Sequence, residues 1–521
     1  MSRRGALVGR PLPLSVALPS AVGAGAMLDA AFPDRGWWMA APVAVAILLL
    51  SLAGRGFATG ILVGTAAGGT FWLLHVNWLT LYLGPVPWLA LSSLETIFFA
   101  VSAGMTAVVL TRASTLFGPF GRLVVVPSVV AGIWTAREAV TGAWPYGGFA
   151  WGRLATSQVD GPFRDLLPWV GAAGLTFLLA WLAALSVQLL REYAIPGLAR
   201  IAAALAAVLL LLSVPGWGTN VDGSARVLAV QGGRDAGLFA DYDPGDLLQA
   251  HADQTAASPA ANVDFIVWPE NSSDLDPARS PDAAATLNQI AETAGVPVIA
   301  GTITARGDEF FNTSLLWEAG EGVTDWYDKA HPVPFAEYMP DRSFWRPFAP
   351  DLVDLVTRDY SIGTRENTFS IGDLVAGISI CFDIADDSLI TAMIDDGARL
   401  ILAQTNNADF GRTDESVQQL AIARMRALET SRSLVNISTV GASAVVGPDG
   451  SVLQSLPTWQ PGTLVAEVPL SSDVTPAIAI GQRIPVVAGV IGLAGFVLAV
   501  AAGSRMRTRS PRSSLTGSSA R

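Results

Sequence analysis

The sequence predicts two unlike parts: a bundle of apolar helices built to cross a membrane, and an acidic α/β domain with a mixed sheet, set before one last apolar helix. Three observations predict this. Hydrophobic residues make up 51 % of the chain and charged residues only 15 %, too apolar for an ordinary soluble domain. Apolar stretches recur through the first 215 positions and again near 484–503, each about the 17–25 residues that a bilayer core requires. Most of the 44 Asp and Glu fall between about 220 and 480, where short β-like runs alternate with helical patterns.

Taken in order, seven spans are expected near 12–31, 38–54, 57–76, 88–111, 123–141, 167–190 and 198–215, and an eighth near 484–503. Arg3, Arg4, Arg10, Arg55, Arg112, Arg122, Arg191, Arg200 and the basic tail from Arg505 would then share one side. The opposite short loops hold Arg35, Arg137, Arg153 and Arg164. The positive-inside rule makes the richer side cytoplasmic, so seven spans carry the acidic domain to the outer face of the cell membrane with both termini inside. The expected organisation is a membrane domain over 1–216, an extracytoplasmic α/β domain over 217–482, a closing span over 483–504, and a disordered basic tail over 505–521. The start, SRR and then an apolar run with AGA at 24–26, also fits a cleavable signal, which leaves the downstream orientation unchanged.

Within the acidic part, VLAV (227–230), FIVW (265–268), PVIAGTIT (297–304), LVAGISIC (374–381) and LILAQT (400–405) read as buried strands. Helical patterns occupy 282–294 and 415–430, the latter placing Leu420, Ala423 and Leu428 on one face. LVNIST, GASAVVG, the turn PDG and SVLQSL read as a closing antiparallel portion. The net charge of −12 sits mainly here and argues against nucleic acid as a partner.

Polar punctuation at the strand ends carries the chemistry. FIVW is followed by Pro269 and Glu270, LVAGISI by Cys381, Phe382 and Asp383, and LILAQT by Asn406 and Asn407. Ligands in α/β sheets bind outside the carboxyl ends of strands, so these side chains are aimed at one rim. Cys381 is the only cysteine in the chain, which excludes an internal disulfide and a cysteine-rich metal site. Lys329 is the only lysine among 32 basic residues, which favours a role that a guanidinium cannot fill. A thiol with an ordinary pKa of about 8.5 needs a base or a nearby cation to attack efficiently. Glu270 supplies the first and Lys329 the second, and burial and the lysine act oppositely on the glutamate. Each residue also has a plain reading: a small buried hydrophobe for Cys381, a helix cap or surface group for Glu270, a surface cation for Lys329. Only three histidines exist and no pair has metal-ligand spacing, which leaves His331 as an alternative partner for the thiol or as a loop-orienting group.

WPE (268–270), the lysine of YDKAHPVPFAEYMP (327–340) and the cysteine of GISICFD (377–383) resemble the three motifs of the nitrilase superfamily, in the same chain order. With the membrane spans, the whole chain resembles the apolipoprotein N-acyltransferase family, with further likeness in NNADFG (406–411), ARMRALE (423–429) and WPYGGFAWG (144–152). The resemblance implies an α-β-β-α sandwich and a two-step acyl transfer without metal or soluble cofactor. Cys381 would take an acyl chain from a membrane phospholipid as a thioester and pass it to the α-amine of a diacylglyceryl-cysteine at an apolipoprotein N-terminus. It implies Glu270 as general base, Lys329 as oxyanion stabiliser and Glu337 as support, with Phe382 and Asp383 beside the nucleophile. Trp144, Tyr146, Asn406, Phe344 and Trp345 are the expected substrate contacts, and the protein is expected to act as a monomer.

Phe382–Asp383 departs from the Tyr–Glu common in that family, and Asp383→Glu is expected to retain or raise activity. The stretch 339–360 reads as an arm dipping toward lipid through Phe344, Trp345 and Phe348. The same acyl-enzyme would serve a membrane-tethered amidase that uses water. A silent scaffold is disfavoured by the intact Glu–Lys–Cys set. A transporter is disfavoured because few ionisable residues, Glu95, Arg137 and Glu138 among them, sit in or near the spans.

Overall fold

The computed structural model describes residues 11–113, 118–192, 195–237, 240–258 and 262–508. Arg3, Arg4 and Arg10 and the basic tail beyond residue 508 lie outside them. Apolar helices stand where the apolar stretches placed them: α1 (Leu14–Ala30), α2 (Ala40–Leu52), α3 (Phe57–His75), α4 (Pro85–Arg112), α5 (Val126–Thr141), α6 (Leu167–Arg191), α7 (Gly197–Leu212) and, last in the chain, Ile484–Thr508. Among the described residues, five helical segments are long and apolar enough to cross a membrane: Phe57–His75, Pro85–Arg112, Gly118–Thr141, Arg164–Arg191 and Pro476–Ala502. The helices at Leu14–Ala30, Ala40–Leu52 and Gly197–Leu212 are shorter.

Small residues set how closely these helices approach. Gly60, Gly64 and Gly68 recur every four residues along α3 and face Ala107, Ala103 and Phe99 of α4. A Cβ added at each would lie 2.7, 2.4 and 2.7 Å from its neighbour. Where lipid removes the hydrophobic drive between helices, such stripes supply van der Waals contact.

The acidic part has the two sheets of the α-β-β-α sandwich that the resemblance implies, where the strand runs alone read as an α/β domain with a mixed sheet. It holds two six-stranded sheets, ordered β12-β1-β2-β3-β4-β5 and β11-β10-β9-β8-β7-β6. The first comprises β1 (Gly223–Gln231), β2 (Phe265–Val267), β3 (Val298–Arg306), β4 (Glu309–Glu318), β5 (Gly322–Asp328) and β12 (Gly462–Leu470). The second comprises β6 (Thr368–Ile371), β7 (Leu374–Ile380), β8 (Leu400–Thr405), β9 (Ser433–Ser438), β10 (Ala444–Val446) and β11 (Val452–Ser455). Each has three parallel strands at its centre and antiparallel strands outside them.

Period-two alternation divides their faces. Val227, Ala229, Phe265, Ile378, Ile380, Leu400 and Leu402 fill the space between the sheets. Leu228 and Val230 pack outward with α8 (Asp246–Ala256) and α9 (Pro281–Ala294). On the other side Ile401 and Ala403 pack with α10 (Asp387–Asp395) and α11 (Glu415–Thr430), in a core continuous with the membrane helices. The layers are therefore α-β-β-α, and α11 is the seam. There Gln418 Oε1 accepts from the indoles of Trp78 (3.1 Å) and Trp151 (2.7 Å), and Arg424 meets Asp160 at 2.7 Å.

Candidate active site

Four strand ends build the site. β7 stops at Ile380, and Cys381 opens a tight turn with a left-handed φ of +50°. That conformation costs a non-glycine residue about 1–3 kcal/mol and persists only where its surroundings over-determine it. Here they do. The Asp383 carboxylate accepts the Tyr327 hydroxyl (2.9 Å) and the backbone N–H groups of His331 (3.0 Å) and Ile380 (3.4 Å). From α11, Arg426 donates to the carbonyls of Ile384 (2.9 Å) and Ala385 (2.8 Å). The half-buried thiol is thereby carried clear of the strand.

Glu270 follows β2 and is buried. Its backbone crosses β3 at Gly301, where an added Cβ would meet Pro269 O at 2.4 Å and Glu270 Cα at 2.7 Å, so glycine sets the depth of the carboxylate. Lys329 follows β5 and is fully buried. Its Nζ lies 3.3 Å from Glu270 Oε1 and 2.9 Å from Glu337 Oε2. The amide of Asn312 on β4 donates to both carboxylates, at 2.7 and 2.8 Å, and Glu337 Oε2 also takes the Val333 N–H at 2.6 Å.

Burial raises the Glu270 carboxyl above its ordinary value despite Lys329, and the Glu337 charge adds to the rise. Burial alone would lower Lys329, but Glu270 and Glu337 outweigh it and hold the ammonium well above its ordinary value. Burial also pushes the Cys381 thiol well up, with Glu270 adding, Lys329 opposing, and Glu415 and Glu337 adding again. A carboxyl raised in this way takes up a thiol proton more readily than an ordinary glutamate.

The expected residues divide. Glu270, Lys329 and Glu337 are in direct contact, and the charges of all three act on Cys381. Phe382 stacks on Phe149 (6.0 Å, 12°) and Trp151 (6.3 Å, 11°) of the loop after α5, so a ring without a hydroxyl suits its place. Asp383 is completed by the three donors above, which reverses the expectation for Asp383→Glu: the turn is built around the shorter side chain. Asn406 instead stitches loops, bonding Ala236 O (3.1 Å), Thr439 Oγ1 (2.8 Å) and the Ala408 N–H (3.2 Å). Its neighbour Asn407 reaches the site. Trp144 is 63 % exposed and, among the described residues, packs edge-to-face with the Phe98 ring. Tyr146 donates to Asp341 at 2.8 Å and packs edge-on against Phe335, which ties this loop to the arm. On the arm Phe344 and Phe348 are 57 % and 73 % exposed. Trp345 is not outward as expected: it turns in against Phe335, beside Met339, Val353 and Val356. His331 faces Asp386 at 3.3 Å. Asn407 lies at the rim where the end of LILAQT placed it, whereas Asn312, Glu415 and Gln419 belong to the site and were missed, since nothing in their own segments marks them.

Residues 24–185 match the family described as Apolipoprotein N-acyltransferase N-terminal domain, and residues 226–474 match Carbon-nitrogen hydrolase. An apolipoprotein N-acyltransferase of Mycolicibacterium smegmatis is 31 % identical over 98 % of this chain and 89 % of its own. One from Shewanella oneidensis is 27 % identical over 83 % of this chain and 85 % of its own. Among solved structures, an amidase from Nesterenkonia sp. aligns with 49 % of this chain and 94 % of its own at 20 % identity, with a TM-score of 0.37.

Proposed function

The chain belongs to the apolipoprotein N-acyltransferase family, and on that premise we propose that Cys381 carries an acyl chain between two lipids. In the first half-reaction Sγ attacks an ester carbonyl of a phospholipid and its proton passes to Glu270. Lys329 Nζ, with two N–H bonds engaged by carboxylates, directs the third at the oxyanion. Collapse breaks the acyl C–O bond, Glu270 returns the proton to the departing glycerol oxygen, and lysophospholipid leaves. In the second, the α-amine of a diacylglyceryl-cysteine attacks the thioester, Glu270 takes a proton, the C–S bond breaks and the thiol is restored.

The observation that carries this reading is the buried Glu270–Lys329–Glu337 cluster acting on a thiol at a strained strand end. A preorganised donor to an oxyanion is worth roughly 3–4 kcal/mol of barrier, and a site beside apolar helices holds both lipids at high effective concentration. The arginine asymmetry supports eight spans, an outward-facing domain over 217–482, and cytoplasmic termini.

The test is intact-protein mass after incubating purified protein in phospholipid vesicles, wild type beside Cys381→Ala. The expected result is an acyl-sized, hydroxylamine-labile adduct on the wild type alone, discharged onto the amine of an added diacylated lipopeptide. No adduct together with an unacylated lipopeptide overturns the proposal. Release of free fatty acid without amide formation would assign the site to hydrolysis.

A further inference from the structure

Beside Cys381 runs a chain of buried polar groups that the acyl-transfer scheme does not use. Gln419 Nε2 lies 3.5 Å from Cys381 Sγ. Asn407 Nδ2 lies 2.8 Å from Gln419 Oε1 and 2.8 Å from Glu415 Oε2. Asn407 Oδ1 is 2.7 Å from Ser438 Oγ and 3.2 Å from Thr405 Oγ1. The Gly441 backbone N–H is 2.9 Å from that same Ser438 Oγ. All five side chains from Thr405 to Ser438 in this chain are buried.

The Gly441 N–H donates to Ser438 Oγ, and the Ser438 hydroxyl donates to Asn407 Oδ1, which sets the direction of the chain. With its oxygen committed, Asn407 presents its NH2 to Gln419 Oε1. Gln419 in turn has only its NH2 left to face the sulfur. A Cβ at Gly441 would lie 2.2 Å from Asn407 Oδ1, so glycine there leaves room for the Asn407 amide.

We propose that Gln419 is a catalytic residue of the acyl transfer, donating an N–H to the Cys381 sulfur when it is a thiolate, and that Asn407 is the positioning residue that keeps the donor facing it. The inference rests on the acyl-enzyme reading above. It answers an electrostatic need. Sγ forms as an anion before attack and again when the amine expels it. Yet the Glu270, Glu415 and Glu337 charges disfavour it and Lys329 opposes them, while Lys329 is bonded to two of those carboxylates. A neutral amide stabilises the anion without adding a charge or a titrating proton beside Glu270.

The chain holds a single cysteine, so alkylation by iodoacetamide reports this sulfur alone. Full-length protein in detergent would be alkylated from pH 6 to 10, and thioester formation measured in phospholipid vesicles. The variants are Gln419→Met, which removes the donor; Gln419→Glu, which keeps the oxygen toward Asn407 and puts oxygen toward sulfur; and Asn407→Asp, which leaves Gln419 intact but makes its amide turn over to donate the other way. For each, alkylation at pH 7 is expected to fall about 3- to 10-fold with the high-pH limit unchanged, the loss of one net hydrogen bond to the thiolate. Thioester formation is expected to fall about 10- to 100-fold, less than for a lost oxyanion donor because sulfur is the weaker acceptor. A role in packing alone leaves the alkylation profile at wild type, and that result overturns the inference. If one variant fails to elute as a monodisperse species, the remaining two decide. Acyl transfer surviving in Cys381→Ala would sink the acyl-enzyme reading itself. Cys381→Ala inactive with the Gln419 and Asn407 variants at wild type would sink only this inference.

Discussion

Lys329→Met removes the one cation from a buried cluster while keeping the length of the side chain. Nζ sits between Glu270 Oε1 at 3.3 Å and Glu337 Oε2 at 2.9 Å, and those two carboxylates also share the Asn312 amide. Without the ammonium, two buried anions face each other across one NH2 group. Breaking a buried pair by removing one partner costs about 3–5 kcal/mol. The deficit depends on pH, with a definite sign. The folded Glu270 carboxyl already lies above its ordinary value, and losing Lys329 raises it further. The variant's folded state therefore holds a proton that the unfolded chain releases, so stability is lost as pH rises from the unfolded glutamate value of about 4.3. The assay is thermal unfolding in detergent, followed by tryptophan fluorescence, at pH 5 and pH 8. At about 2–4 °C per kcal/mol for a part of this size, the variant should melt about 6–20 °C below wild type at pH 8 and much closer to it at pH 5. Acyl transfer should fall by about 100-fold or more. A melt at pH 8 within about 2 °C of wild type, or an equal drop at both pH values, would refute the charge argument.

Other perturbations test neighbouring links. Asp383→Glu inserts a methylene into a turn already closed by Tyr327, His331 and Ile380; it should destabilise by about 1–3 kcal/mol and slow thioester formation about 100-fold, and a rate at or above wild type would show the turn can adapt. Glu415 is pushed from 4.5 up to about 8 by burial, opposed by its Asn407 bond and aided by the Glu270 charge. Its contribution to stability is complete below about 4.5 and is lost as pH rises to about 8. That span converts to about 5 kcal/mol at 1.36 kcal/mol per pH unit. Glu415→Gln should therefore melt progressively higher relative to wild type between pH 5 and 8, and a constant offset would contradict the assignment. Replacing the exposed Phe344 and Phe348 by Ser, with Trp345 kept, should raise KM for phospholipid in vesicles more than for a short-chain ester; equal losses would count against a lipid contact.

Several things were legible in the sequence because they depend on one segment at a time. Each apolar helix stands within a few residues of its apolar stretch, since length and hydropathy are properties of the run itself. The strands ending at Val267, Ile380 and Thr405 were legible as continuous Val/Ile/Leu runs, the pattern of parallel strands buried on both faces. Glu270, Lys329 and Cys381 stood out by type and rarity: one thiol, one lysine, and a glutamate just past a strand. The strands Glu309–Glu318, Gly322–Asp328 and Gly462–Leu470 did not stand out, because their polar residues break the apolar run.

What only the tertiary structure decided is where polar side chains meet. Nothing along their own segments marks Asn312 and Gln419, yet each is buried because a partner comes from another element: Glu270 and Glu337 for Asn312, Cys381 for Gln419. The count of sheets, the inward turn of Trp345, and the choice of Asn407 over Asn406 were decided in the same way. Hydropathy is additive along a chain and can be read from it. A hydrogen bond needs two groups at a fixed distance and angle, and that exists only once the sheets have packed.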